Sequence, residues 1–130
     1  LYHLCDERTD LAEACVDWME LELEGVPLVV GAGGLLHAVG EARGVPLLRE
    51  IFAERGYAAE ARLLPRGEAG ALIDDPLRVA GRIRDWQTSG YLEVGGGKKW
   101  LVEAETVCVH ADSPQSVAMA RVVRAAIGAA

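Results

Sequence analysis

The chain has 130 residues, 51% of them apolar and 25% charged, enough for a globular fold with a real core. Thirteen basic against 20 acidic residues give a net charge of −7, which speaks against nucleic acid as a partner because phosphate binding wants a basic face. No apolar run approaches the roughly 20 residues that span a bilayer, so no membrane role is expected.

Leu1-Tyr2-His3 shows neither the basic nor the apolar segment of a secretory leader and reads as a chain entered midway. Thr9 or Asp10 can cap a helix running to about Leu23, with Leu11, Ala14, Cys15, Trp18, Met19 and Leu23 as its apolar stripe. Gly25 stops it, and Val26-Pro27 leads into a strand, Leu28–Val30. Gly31-Ala32-Gly33-Gly34 then opens a helix over Leu35–Arg43, which contains His37. Such a turn can cradle phosphate on backbone N–H groups. It matches neither the GxGxxG nor the P-loop pattern, however, and a plain tight βα turn is the simpler reading.

Gly44 ends that helix, and Val45-Pro46 opens a strand, Leu47–Ala53, that leads into a polar cluster of Glu50, Glu54, Arg55 and Tyr57. Ala58–Ala71 has no clear period and reads as a long loop over a site or a plain connector. Asp74 or Asp75 caps the next helix, with Pro76 in its first turn and Leu77, Val79, Ala80, Ile83 and Trp86 along one side. Tyr91–Val94 and Lys98–Val102 flank Gly95-Gly96-Gly97 as a hairpin. A last helix is expected over Gln115–Ile127. Helices alternating with short apolar strands imply an α/β fold with a mostly parallel sheet, in a single domain over 1–130.

The most informative stretch is Thr106-Val107-Cys108-Val109-His110-Ala111-Asp112-Ser113-Pro114. A β-branched run ends in an imidazole, a carboxylate and a Ser-Pro break, as a buried parallel strand does when it delivers polar groups to its carboxyl end. In α/β folds that end is where sites are built. His110 and Asp112 are therefore the first candidates for chemistry. The plainer alternative is a histidine bonded to backbone, with Asp112 or Ser113 capping the next helix. His110-x-Asp112 offers at most two metal ligands, with no HxxxH or cysteine cluster beside it, so no metal is expected. Cys5, Cys15 and Cys108 form no CxxC pair, which suits reduced thiols in a cytoplasmic protein.

Two stretches together resemble one family. Glu50-Ile51-Phe52-Ala53-Glu54-Arg55-Gly56-Tyr57, followed by Leu63, Arg66 and Ala71-Leu72-Ile73, is similar to a signature of the LamB/YcsF (lactam-utilisation) family, and the Thr106–Pro114 stretch is similar to its second signature. The order and spacing agree. Glu54 stands where the family usually has Asp, Ala61 and Ala111 where it usually has Gly. Family members are about twice as long, and Leu1-Tyr2 matches the tail of a motif in their first half, so the chain reads as the carboxyl-terminal portion of such a protein. The resemblance implies a (β/α) barrel of the glycoside hydrolase/deacetylase type, here partial. It also implies a part in ATP-dependent 5-oxoprolinase, which opens 5-oxo-L-proline to L-glutamate, alongside the other subunits of that enzyme.

Opening an unstrained lactam needs a polarised carbonyl and an activated water. Glu50, His110 and Asp112 suit acid/base or orienting roles. Arg55 and Arg66 suit the binding of carboxylate or phosphate, because guanidinium grips both bidentately, and Tyr57 lies beside them. Glu50, Arg55, His110 and Asp112 fall near the ends of two expected strands, where one mouth could hold them. A structural ion-pair network, such as Arg55 with Glu50, is the competing reading. A non-catalytic module that acts by protein association, including a homo-oligomer, is the competing function. A deacetylase-like hydrolase is a third, resting on fold analogy alone.

Overall fold

The computed structural model describes residues 2–128. They fall into two compact units, one running up to Ile51 and including Ala104–Thr106, the other comprising Phe52–Glu103 and the chain from Val107 onward.

The first unit contains α1 (Tyr2–Glu7), α2 (Thr9–Glu22), β1 (Leu28–Gly31), α3 (Leu35–Arg43) and most of β2 (Leu47–Phe52). β1 and β2 pair in parallel, from Leu28 opposite Leu47 to Gly31 opposite Glu50. The core gathers Cys5, Ala12, Val16, Met19, Val30, Leu36 and Val45. The buried stripe of α2 is therefore Ala12, Val16 and Met19, rotated from the one expected. Trp18 is 53% exposed and Ala14 lies outside, while Leu11, Cys15 and Leu23 pack at the margin. Ala and Val at i, i+4 supply a shallow surface on which α2 can come close to its neighbours, and the bulkier Trp is displaced. Neither Thr9 nor Asp10 caps α2. Its N-cap is Arg8, which makes no side-chain cap and instead pairs with Asp10. The six-residue α1 is an addition to the expected elements, being too short for a helical period to show in sequence.

The second unit contains β3 (Tyr57–Ala59), β4 (Arg62–Leu63), α4 (Pro76–Ser89), β5 (Tyr91–Val94), β6 (Lys98–Leu101), most of β7 (Thr106–Cys108) and α5 (Ser116–Ile127). Asp75 caps α4 by accepting from Leu77 N–H at 2.9 Å, with Pro76 at the first helical position as expected. Val79, Ala80 and Ile83 are buried on α4, whereas Leu77 is exposed. β5 and β6 form the antiparallel hairpin anticipated around Gly95–Gly97, with Tyr91 opposite Leu101 and Val94 opposite Lys98. The supposed loop over Ala58–Ala71 holds a small antiparallel hairpin, β3 with β4. Strands of three and two residues are too short to show alternation in sequence. Its ends are tied by backbone bonds from Gly56 N–H to Ala71 C=O at 3.0 Å and from Leu64 N–H to Gly56 C=O at 2.8 Å. A Cβ at Gly56 would come within 3.0 Å of the Gly70 carbonyl oxygen, so this closure requires glycine.

The result is a mixed α/β protein with a parallel β1–β2 pair in its first unit.

Candidate functional site

The sequence Phe52-Ala53-Glu54-Arg55 leaves the extended conformation of β2 and bends before β3, sending successive side chains to different tasks. Ala53 N–H donates to Cys108 C=O at 3.0 Å, which carries the bend alongside the end of β7. Glu54 is only 8% exposed. Its Oε1 accepts the backbone N–H of His110 at 2.8 Å and is also in short contact with His110 Nδ1. The Phe52 ring stacks on the imidazole, with centroids 5.7 Å apart and planes 13° from parallel. Two contacts to one oxygen and a stacked ring fix the His110 orientation. A carboxylate on Nδ1 places the ring proton there and leaves Nε2 as the acceptor.

Glu54 Oε2 is buried and has no hydrogen-bond partner, alone in this among the buried side-chain nitrogens and oxygens of the described residues. Leaving such an acceptor unmet costs about 1–3 kcal/mol. Buried orphans of this kind call for a reason, and a catalytic role is one of the recognised ones.

The candidate residues settle as follows. His110 and Asp112 follow β7, and Asp112 forms an exposed ion pair with Arg66 at 2.6 Å. The Arg66 guanidinium holds the Asp112 carboxyl below its usual range through that hydrogen bond. Arg55 is 2% exposed, and its guanidinium is committed to backbone: Nε donates to Ala71 C=O at 3.2 Å and Nη2 to Leu64 C=O at 2.7 Å. Burial lowers the Arg55 pKa first, and the nearby charge of Arg66 lowers it further. Tyr57 is also buried, and its hydroxyl accepts from Phe52 N–H at 3.1 Å. These five residues belong to the second unit. Glu50 belongs to the first, where its Oε2 accepts from Thr106 Oγ1 at 3.2 Å. Arg55 bonds to carbonyls rather than to Glu50, so the ion-pair network weighed from sequence takes a different form.

Glu54 and Arg82 are not among the site candidates drawn from the sequence. Glu54 stands in the polar cluster and at a position where the family resemblance places an acidic residue, so a signal for it exists. Arg82, in the middle of α4, carries none.

Among the described residues no three His, Cys, Asp or Glu side chains gather as a metal site would require. No described helix is long and apolar enough to cross a membrane. The glycine turn before α3 does not fit a nucleotide triphosphate. The Asp6 carboxylate already occupies that helix end, accepting Leu36 N–H at 3.2 Å, and a Cβ at Gly34 would fall within 3.0 Å of it. A phosphate there would meet a carboxylate rather than free N–H donors.

Comparison with known proteins agrees with this architecture. The model of the LamB/YcsF family matches residues 1–130. The 5-oxoprolinase A subunit from Nocardia farcinica is 41% identical over 131 aligned positions, covering 100% of this chain and 52% of that protein. Its counterpart from Streptomyces avermitilis is 36% identical over 129, covering 99% and 52%. The crystal structure of a lactam utilization protein from Thermus thermophilus superimposes with a TM-score of 0.87 at 30% identity, covering 98% of this chain and 51% of that one. The chain thus spans about half the length of these relatives.

Proposed function

This chain belongs to the LamB/YcsF family, and from that premise we propose that it supplies acid/base groups to an ATP-dependent 5-oxoprolinase that opens 5-oxo-L-proline to L-glutamate together with other subunits. The observation that carries this reading is the Glu54–His110 couple, a histidine held by a buried carboxylate whose second oxygen is unmet.

In this reading Glu54 holds the proton on Nδ1, and His110 Nε2 accepts a proton from the attacking water. A C–O bond forms at the lactam carbonyl, the ring C–N bond breaks, and the departing nitrogen takes up the proton that His110 received. Arg66 receives the substrate carboxylate in exchange for Asp112, because both partners of that pair are exposed and a guanidinium grips carboxylates bidentately. Arg55 and Tyr57 hold the walls rather than the substrate, given their backbone partners. The glycine turn offers no triphosphate cradle, so nucleotide handling is assigned to the rest of the assembly, and no step above is routed through it.

The test uses the native gene product assembled with the partner proteins that turnover requires. His110→Asn and Glu54→Gln should each lower 5-oxoproline-dependent ADP release by about 10²–10⁴-fold while the fold is retained. Wild-type turnover in both folded variants would remove these residues from the mechanism.

A further inference from the structure

Arg82 lies in the middle of α4, far in sequence from the residues discussed above. Its Nη1 nitrogen donates to three carbonyls at once: Phe52 at 3.2 Å, Ala53 at 2.8 Å and Arg55 at 2.9 Å. These carbonyls bracket Glu54. The remaining one, that of Glu54 itself, accepts from Ile73 N–H at 2.8 Å. All four carbonyls of the bend are therefore pinned, three of them by one guanidinium. That guanidinium lies over the Tyr57 ring, 5.6 Å from its centroid, and the Tyr57 hydroxyl accepts from Phe52 N–H. Arg82 and Tyr57 thus hold the same few peptide units from the carbonyl and the amide side.

The arrangement has a use beyond stability. The bend has only scattered ladder partners, Ala53 N–H on Cys108 C=O and the antiparallel bridge of Arg55 with Leu72, yet it must hold a buried carboxylate against an imidazole. A convergent donor supplies the missing constraint, and charge-assisted bonds of this kind are about twice as strong as neutral ones. Resting on the reading that Glu54 and His110 perform the chemistry, we infer that Arg82 is a positioning residue. It acts through the 52–55 backbone to aim Glu54 at His110, without touching substrate.

The charged groups facing the couple are Arg55, Arg82 and Asp112, with Arg66 paired to Asp112. Arg82→Lys keeps the charge and the donors but replaces the longer planar guanidinium by an ammonium that reaches the three carbonyls less well, and Arg82→Met removes the donors altogether. In the assembled native enzyme, Arg82→Met should lower kcat on the order of 10²-fold with KM little changed, and Arg82→Lys should recover part of that loss. The pH profile of kcat and the imidazole NMR signals of His110 should both shift in the variants, which a purely structural role would not cause. A double-mutant cycle sharpens the result: once Glu54→Gln is in place, Arg82→Lys should cost little more, because the group it aims is already compromised.

Strict additivity in that cycle, or a folded Arg82→Lys variant with an unchanged pH profile and His110 spectrum, would overturn the inference while leaving the functional reading intact. An unchanged kcat for Glu54→Gln alone would overturn the functional reading instead. Should Arg82→Met fail to fold, Arg82→Lys decides by the same criteria.

Discussion

Two strand-to-helix junctions in this chain hold the same pair of side chains, a histidine and a carboxylate, and use them in opposite senses. Between β1 and α3, His37 Nδ1 accepts from Gly33 N–H at 3.0 Å, and Asp6 accepts from Leu36 N–H. Both side chains act as acceptors for backbone amides, so the junction is closed on itself. Between β7 and α5, His110 is the donor and Glu54 the acceptor, and one carboxylate oxygen is left over. The two imidazoles consequently turn Nδ1 to opposite partners, a backbone amide in His37 and a carboxylate in His110. Residue type alone does not mark a site. What distinguishes the second junction is a hydrogen-bonding capacity that the fold does not consume.

The contrast can be broken most sharply by treating the two histidines alike. His110→Asn should reduce turnover by about 10²–10⁴-fold, whereas His37→Asn should leave it within a few-fold of wild type. Comparable losses in steady-state assays of the two would erase the distinction. At the closed junction the largest effect should be on folding. Gly34→Ala drives a methyl into the Asp6 carboxylate and should cost about 1–3 kcal/mol by denaturant titration. Adding Asp6→Ala should recover part of that, and a double mutant as unstable as the sum of the singles would show that the clash lies elsewhere.

Proton linkage provides a finer probe within the first unit. Burial raises the Asp6 pKa above 3.8, more than the Leu36 amide lowers it. Its contribution to stability is therefore complete below pH 3.8 and lost as pH rises through the raised value. Asp6→Asn should flatten the melting curve over that window. Glu105 behaves in reverse, since Arg49 holds it down from 4.5 to about 2. Its contribution is present above pH 4.5 and lost as pH falls toward 2, so Glu105→Gln should flatten the acid limb. Melting temperatures measured across pH check both, and a slope that steepens in either variant would refute that residue's assignment. Smallest of all, Trp18→Phe should hardly alter the melting temperature, because residue 18 is 53% exposed and most of its aromatic contact is kept.

Much of the framework is readable in sequence because it rests on local signals. Gly44 and Gly90 end their helices in the left-handed conformation, and Asp75-Pro76 opens α4 as written. The phase of α2 is not readable, because Trp18 and Val16 are both apolar and only packing decides which of them turns inward. The candidate site is half legible. His110 and Asp112 can be placed from the end of an apolar run, and Arg66 from the family resemblance. The roles of Arg55 and Tyr57 cannot, because a guanidinium on carbonyls and a phenol on an amide depend on which backbone groups the bend leaves open. Arg82 is invisible for the same reason: its partners are carbonyls, which every residue has. Ala111, where the family resemblance expects Gly, is not among the described residues with positive φ, so the backbone there asks for no conformation reserved to glycine.

Ala61 is different. It is the one described non-glycine residue with positive φ, at +57°, in the two-residue turn between Ala59 and Arg62. Glycine or asparagine is favoured at such a position, and alanine costs about 1 kcal/mol there. Changing an alanine codon to a glycine codon takes a single base substitution, so relief is always one mutational step away. A lineage carrying Ala61 therefore holds a small reserve of stability that it can release to offset some other, costlier change.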